Sequence, residues 1–219
     1  MINKYIDHTL LKANALEKDI EKLCLEAIKY NFKSVMVNPS QILRCKKILK
    51  DSSVKIGTVI GFPLGQNTIK VKVFEVKDAI KNGVDEIDYV LNISELKNKN
   101  YSYLKEEMEM IVKLCQEHKI VSKVIIETCY LTKLEKIKVL EIIKEVKPDY
   151  VKTSTGFGTK GAELVDIKLM KDIVGDTVKI KAAGGIRDLR KFEEMIKAGA
   201  KRIGTSSGVE IIKEYNGGN

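Results

Sequence analysis

The chain has 219 residues and a mass of 24.6 kDa, too long for one small sandwich and short for two full domains. Hydrophobic residues make up 44% and charged residues 32%, a balance that supports a buried core and argues against a disordered chain. No apolar run approaches the roughly 18 residues of a membrane span. Since Asp7 and His8 interrupt the first ten residues, we expect neither a membrane segment nor a signal peptide.

The basic residues outnumber the acidic residues by 39 to 30, which gives a net charge of +9 and raises the question of nucleic-acid binding. Four of the 39 are arginines, Trp is absent, and the lysines are spread over every predicted helix. We therefore expect no nucleic-acid partner. The simpler interpretation is a solvated, lysine-rich surface, and the functional one is a positive field that attracts an anionic small substrate.

The cysteines carry no signature of a metal site or a disulfide framework. They have no CxxC spacing and no paired histidines beside them, at Cys24, Cys45, Cys115 and Cys129. We expect no zinc, no disulfide and a location in the reducing cytoplasm.

Short β-branched runs alternate with longer amphipathic stretches along the whole chain. The predicted strands are Tyr5–Leu10, Ser34–Asn38, Lys55–Gly61, Glu86–Asn92, Ser122–Thr128, Tyr150–Ser154, Val178–Ala182 and Arg202–Thr205. Helical periodicity covers Leu16–Tyr30, Leu104–His118, Lys133–Val146, Ala162–Val174 and Leu189–Ala198, with a short last helix at Val209–Tyr215. Helical stretches are followed by glycines suited to a helix C-terminus, at Gly83, Gly175 and Gly199.

Eight near-equal βα units predict a single-domain (β/α)8 barrel over residues 1–219. An open, doubly wound sheet is the alternative. Because no GxGxxG follows the first strand, we favour the closed barrel.

Ionisable residues stand at the carboxyl ends of three predicted strands, where barrels carry their active sites. Alternation along a strand predicts that Asp88, Lys152 and Lys181 point into the barrel. Lys123 and Glu127 share one parity on the fifth strand and are expected to point inward too. Lys179 has the parity of Lys181 but lies one strand repeat deeper. We expect it at the barrel bottom, without a catalytic role.

Two neighbouring lysines in a poorly solvated site suggest Schiff-base chemistry. Burial and a nearby ammonium both lower a lysine's pKa, so one of the pair can be a neutral amine at physiological pH. Such an amine attacks a carbonyl, while the second lysine stays cationic and Asp88 moves protons. The alternative is a set of structural ion pairs among these lysines, Asp88 and Glu127.

Two glycine-rich turns on adjacent strands, residues 183–187 and 204–208, each lead into a helix. Helix N-terminal amides and close backbone approach suit a phosphate group. We therefore expect phosphate binding by the small residues of these turns, Gly184, Gly185, Gly204, Ser206 and Ser207.

Motifs in order along the chain resemble those of the deoxyribose-phosphate aldolase family. They are Asp7-His-Thr9, Gly61-Phe-Pro63, Glu86-Ile-Asp88, Lys123-Val-Ile-Ile-Glu-Thr128, Val151-Lys-Thr-Ser-Thr-Gly-Phe157, Lys181-Ala-Ala-Gly-Gly-Ile-Arg187 and Gly204-Thr-Ser-Ser207. The resemblance implies a (β/α)8 barrel and a class I aldolase that uses neither a metal nor a cofactor. It implies cleavage of 2-deoxy-D-ribose 5-phosphate to D-glyceraldehyde 3-phosphate and acetaldehyde, in deoxyribonucleotide catabolism.

By the same resemblance, Lys152 is the Schiff-base lysine, Lys181 its neighbour and Asp88 the proton-transfer carboxylate. We also expect Thr155 to take part in substrate binding, Asp7 and Lys123 to support the site, and the protein to form a homodimer.

The chain also departs from the family pattern. Phe157 stands where some members carry a basic residue, the second strand lacks a thiol, and Tyr215 is the last tyrosine where some members have a tyrosine tail. The rival interpretations are another Schiff-base barrel, such as a transaldolase, and a basic nucleic-acid-binding protein on an inactive barrel.

Overall fold

The computed structural model describes residues 2–217, and its eight parallel strands close into one barrel in chain order. The strands are β1 (Ile6–Leu10), β2 (Ser34–Val37), β3 (Lys55–Ile60), β4 (Glu86–Val90), β5 (Val121–Ile125), β6 (Tyr150–Lys152), β7 (Lys179–Ala183) and β8 (Arg202–Thr205). Because β1 pairs with both β2 and β8, the sheet has no free edge, which confirms the predicted barrel over the open sheet. The outermost residues of the predicted domain, 1, 218 and 219, lie outside the described part.

Nine α-helices are described between residues 2 and 217. They are α1 (Glu17–Lys29), α2 (Ile42–Ile48), α3 (Ile69–Asn82), α4 (Ile93–Lys97), α5 (Tyr101–Glu117), α6 (Lys133–Val146), α7 (Leu164–Val174), α8 (Leu189–Lys197) and α9 (Gly208–Gly217). None of them is both long and apolar enough to cross a membrane. The six predicted helices are all present with ends within three residues of those expected.

The sequence analysis gave no range for α2, α3 or α4, although Gly83 correctly marked the end of α3. The α3 segment begins Ile-Lys-Val-Lys-Val, an alternation that is typical of a strand. It is nevertheless helical, because Thr68 caps its N-terminus by accepting from the Val71 N–H and Gly83 ends it in the left-handed conformation. The other two helices have only seven and five residues, too few for a visible helical period.

The interior of the barrel has an apolar side and a charged side. Leu11, Met36 and Val59 form a buried cluster on the side of β1 to β3, with Phe62 packed against it. Gly57 makes room for this cluster, since a Cβ atom there would lie 2.2 Å from the Met36 Sδ. The larger apolar core lies between the strands and the helices, where Ile87 and Val124 are fully buried.

The pair Gly57 and Met36 yields a stability prediction. Gly57→Ala should lower the free energy of unfolding by about 1–3 kcal/mol, because the added methyl overlaps the Met36 sulfur. In the double variant Gly57→Ala/Met36→Ala the overlap is gone, so its loss should be smaller than the sum of the two single losses by about 0.5 kcal/mol or more. Urea unfolding followed by circular dichroism measures all three. Strictly additive losses would contradict the proposed overlap.

Candidate active site

Seven ionisable side chains meet inside the barrel, each at most 3% exposed. They project from six of the eight strands, β1 and β4 to β8, in which alternate residues face the barrel axis. The group, which we call the interior network, consists of Asp7, Glu86, Asp88, Lys123, Lys152, Lys181 and Arg202. The side chains that the sequence predicts to converge, Asp88, Lys152 and Lys181, therefore do lie together.

Asp88 is the centre of the interior network. Its Oδ2 accepts hydrogen bonds from the Lys152 Nζ at 2.8 Å and from the Lys181 Nζ at 2.7 Å. Its Oδ1 accepts from the Lys123 Nζ at 2.8 Å. One buried carboxylate thus holds three ammonium groups of neighbouring or nearby strands.

The network continues from Asp88 to Arg202. Lys181 lies 2.5 Å from the Asp7 Oδ2, and Lys123 lies 2.7 Å from the Glu86 Oε2. The Arg202 guanidinium donates to both Asp7 and Glu86, and so joins the two branches. A continuous set of ion pairs therefore connects Lys152 at one end to Arg202 at the other.

The network contains three carboxylates and four potential cations, so one positive charge is in excess when all are ionised. Lys152 is the group whose protonation is disfavoured. Burial lowers the pKa of Lys152 to about 8, and the Lys181 charge makes a smaller contribution in the same direction, although Asp88 acts to raise that pKa. A neutral Lys152 balances the network. Burial, rather than Lys181 alone, is thus the larger cause of the expected shift.

The carboxylates of the network stay ionised. Burial alone would raise the pKa of Asp88, but Lys123, Lys152 and Lys181 outweigh burial and hold that pKa well below its usual range. For the same reason Arg202 and Lys181 keep the pKa of Asp7 low against its burial. Burial lowers the pKa of Lys123, yet Asp88 and Glu86 raise it above its ordinary value, so Lys123 remains a cation.

A cavity of about 370 Å³ opens above the network at the carboxyl ends of the strands. It is lined by Thr9, Leu10, Leu11, Lys12, Lys152, Thr155, Gly156, Phe157, Ala183, Gly184, Gly185, Ile186, Arg187, Gly204, Thr205 and Ser206. Of the network, only Lys152 is among these described lining residues, and Asp88 and Lys181 lie beneath it. The lining includes the cations Lys12 and Arg187 and no carboxylate, which favours an anionic ligand.

The structure separates the residues predicted to bind phosphate. Gly184, Gly185, Gly204 and Ser206 line the cavity, whereas Ser207 does not. The Ser207 N–H donates to the Thr205 Oγ1 at 2.9 Å, and its carbonyl accepts from the first turn of α9.

At two of these positions, Gly184 and Gly204, a side chain would also collide with neighbouring atoms. A Cβ at Gly184 would lie 2.9 Å from the Gly161 Cα, and one at Gly204 would lie 3.2 Å from the Lys181 Cε. Gly184 therefore lets two loops approach, and Gly204 makes room for a lysine of the network.

Glu127 fixes the loop that follows Lys152. This carboxylate is 1% exposed, and it accepts from the Thr155 N–H at 3.2 Å and from the Thr155 hydroxyl. The Thr155 Oγ1 in turn accepts from the Phe157 N–H at 3.0 Å. Thr155, which we expect to bind substrate, lines the cavity, and its hydroxyl donates to Glu127. Burial raises the pKa of Glu127 against these hydrogen bonds and the Lys152 charge.

Sequence reasoning missed two members of the network, Glu86 and Arg202. Glu86 shares the parity of Asp88, so alternation along β4 held its signal. Arg202 joins the network through its register with Lys181 on the neighbouring strand, which the sequence alone does not show. His8 lies outside the cavity lining and forms a hydrogen bond with Glu26 through its Nε2 at 2.9 Å. Tyr215 on α9 does not line the cavity either.

Between residues 2 and 217 no cluster of three or more His, Cys, Asp or Glu is arranged to hold a metal ion.

Comparison with known proteins adds a family and close relatives. A family model described as "DeoC/LacD family aldolase" matches residues 1–214. The deoxyribose-phosphate aldolase of Lactobacillus acidophilus is 57% identical over 210 residues, which cover 96% of this chain and 89% of the relative. The enzyme of the same name from a Thermoanaerobacter species is 53% identical over 216 residues, or 98% and 97% of the two chains.

Two solved structures are similar over almost the whole chain. An aldolase called QR15 has a TM-score of 0.94 at 41% identity, with 99% of this chain and 96% of that chain covered. A deoxyribose phosphate aldolase from Aeropyrum pernix has a TM-score of 0.91 at 31% identity, with coverages of 98% and 91%.

The lowered pKa of Lys152 predicts how its amine reacts with pH. Only the neutral amine reacts, so reductive methylation of Lys152 with formaldehyde and cyanoborohydride should rise with pH and have its midpoint at about 8. Lys181→Met removes a positive neighbour, and the midpoint should then rise by roughly one unit or more. Peptide mass spectrometry measures both, with the exposed Lys18 as an internal reference for the reagent. An unchanged midpoint in Lys181→Met would contradict the coupling.

Proposed function

The chain belongs to the DeoC/LacD family of aldolases, and from this premise we propose that it is a deoxyribose-phosphate aldolase that works through a Schiff base on Lys152. It cleaves 2-deoxy-D-ribose 5-phosphate reversibly to D-glyceraldehyde 3-phosphate and acetaldehyde. The observation that carries the proposal is the buried Lys152 amine, which faces the cavity and has its pKa lowered to about 8.

Lys152 begins the reaction as a nucleophile. Its neutral Nζ attacks the aldehyde carbon C1 of the open-chain sugar, and loss of water from the carbinolamine gives an iminium ion. The iminium withdraws the electrons of the C2–C3 bond when the C3 hydroxyl loses its proton. Glyceraldehyde 3-phosphate leaves, and an enamine of two carbons stays on Lys152. Protonation of the enamine at C2 and addition of water then release acetaldehyde and restore the amine.

Asp88 and Lys181 are proposed to move the protons of these steps. Asp88 Oδ2 accepts hydrogen bonds from both lysines, so it lies between the reacting nitrogen and a lysine that Asp7 also holds. This geometry supports a relay in which Lys181 supplies a proton through Asp88 to the carbinolamine oxygen and later recovers it. Lys123 supports the relay by holding the other oxygen of Asp88.

The phosphate is proposed to lie at the rim formed by the loops after β7 and β8. Gly184, Gly185 and Ser206 line this rim next to the starts of α8 and α9, whose N-terminal amides suit an anion. Lys12 and Arg187 add two positive side chains to the same cavity. They supply positive charge in this chain, in which the apolar Phe157 stands where some family members carry a basic residue.

Location and assembly are part of the same proposal. The four cysteines are free thiols, which supports the cytoplasm. A homodimer is supported by apolar surface such as Phe74, which is 72% exposed on α3. The Aeropyrum pernix relative is described as a tetramer.

Borohydride trapping tests the proposed nucleophile. Incubation with 2-deoxy-D-ribose 5-phosphate and then borohydride should add covalent mass to the peptide that contains Lys152, because reduction fixes the iminium. Lys152→Met should lose nearly all cleavage activity and all labelling while the barrel stays folded. The matched control Lys113→Met changes an exposed lysine of α5 and should keep both. Label on Lys181 in the unmodified protein, with none on Lys152, would overturn the assignment.

A carboxylate at the rim tests the phosphate position. Ser206→Asp should lower kcat/KM for the phosphorylated sugar by at least about 100-fold, since charge-assisted hydrogen bonds contribute roughly 1.5–3 kcal/mol each and two would be lost. The activity on 2-deoxy-D-ribose without phosphate should change far less, because Lys152 and its network are untouched. Ser102→Asp in α5 controls for added charge. Equal losses on both sugars would place the phosphate elsewhere.

A further inference from the structure

A second polar pocket lies at the opposite end of the barrel, where the strands begin. Its volume is about 280 Å³, and we call it the floor pocket. It is lined by Lys33, Lys55, Asp85, Glu86, Lys119, Val121, Asp149, Tyr150, Lys179 and Arg202. The proposed reaction takes place at the other end, where Lys152 opens to the cavity, and of the floor-pocket residues only Glu86 and Arg202 belong to the interior network.

Lysine is concentrated in the floor pocket. Four of its ten lining residues are lysines. In the whole chain 35 of 219 residues are lysines, since four of the 39 basic residues are arginines. Lysines thus occur here at more than twice their average frequency. Lys55 and Lys179 begin β3 and β7, and Lys33 and Lys119 stand just before β2 and β5, so the four come from separate parts of the barrel rim.

The carboxylates of the floor pocket already have partners. Asp85 accepts from the Ile56 N–H at 2.9 Å and from the Lys55 Nζ at 3.1 Å. Asp149 accepts from the N–H and hydroxyl of Ser122 at 2.9 and 3.0 Å. Glu86 belongs to the interior network. These acids tie neighbouring strand ends together.

Three lysines of the pocket remain without a carboxylate. Within residues 2–217 no Asp or Glu oxygen lies within 4.0 Å of the Nζ of Lys33, Lys119 or Lys179. The Lys179 Nζ lies 5.6 Å from the Tyr150 ring centroid, and the Arg202 guanidinium lies 5.8 Å from the same ring. The partners of Asp149 are neutral, so its one negative charge faces the three positive charges of these lysines, and the pocket has an excess of positive charge.

We propose that the floor pocket binds a small multivalent phosphate anion. Three ammonium groups around one concavity match an anion with several charges, since a monovalent ion would leave most of the repulsion in place. Lysine ammonium groups bind phosphate oxygens as point charges, without the planar geometry that arginine requires. The anion would lie over Tyr150, with its oxygens directed to Lys33, Lys119 and Lys179. This site is separate from the sugar phosphate of the proposed reaction.

A matched pair of triple variants tests the site. The floor variant Lys33→Gln/Lys119→Gln/Lys179→Gln removes the three unpaired lysines, and the control variant Lys18→Gln/Lys70→Gln/Lys113→Gln removes three exposed lysines of helices. Both lose the same net charge. Inorganic pyrophosphate is titrated into ¹⁵N-labelled protein at constant ionic strength, and the backbone amide shifts of residues 33, 119 and 179 are followed. Mapping by residue separates this pocket from any binding at the cavity rim.

We expect saturable shifts at these three amides, with an affinity at least about tenfold weaker in the floor variant and unchanged in the control variant. Residues around the pocket, such as Val121, then serve to follow the floor variant. Orthophosphate and ADP distinguish free phosphate from a diphosphate group carried on a nucleoside. Absence of saturable shifts, equal weakening in the two variants, or the same shifts with sodium chloride would overturn the proposal. Cleavage activity should be equal in both variants. Anion binding is measured by amide shifts alone, so its outcome does not depend on the proposed aldolase function.

Discussion

The contact of Asp88 with three lysine ammonium groups is the interaction on which the interior of this barrel depends. An isolated buried ion loses several kcal/mol of hydration, and a buried pair is tolerated only when each charge is matched and hydrogen-bonded. Here Asp88 matches Lys123, Lys152 and Lys181 at once, and Asp7 and Glu86 share the remaining positive charge with Arg202. The one proton in excess is the proton of Lys152. A reactive amine is therefore a consequence of the charge balance of the whole interior.

The closed parallel sheet is what brings these charges to one level. Asp88 pairs in register with Lys123, Lys152 with Lys181, and Lys181 with Arg202. β6 ends at Lys152, and after one more backbone hydrogen bond, from the Thr153 N–H to the Lys181 carbonyl, Glu127 holds the departing loop through Thr155. Register positions the charges, and the early end of one strand opens one of them to the cavity.

The sequence predicted the strands and the inward side chains well because both depend on local alternation. The start of α3 was not delimited because it alternates like a strand, and the capping Thr68 outweighs that short pattern. Arg202 was missed because its partners Asp7 and Glu86 lie 195 and 116 residues away, and only closure of the barrel brings them together. The hydrogen bond of the Thr155 hydroxyl to Glu127 is equally non-local, so no motif could show that its hydrogen is used.

The division of the interior into an apolar and a charged side affects how the sequence can drift. On the apolar side a substitution changes volume, and a neighbour can compensate for it, as Met36 fills the space that Gly57 leaves. On the charged side a substitution changes the ionisation of several groups together, so no single compensating change restores it. Residues on the apolar side can therefore be substituted one at a time during evolution, whereas residues on the charged side must be kept or changed together.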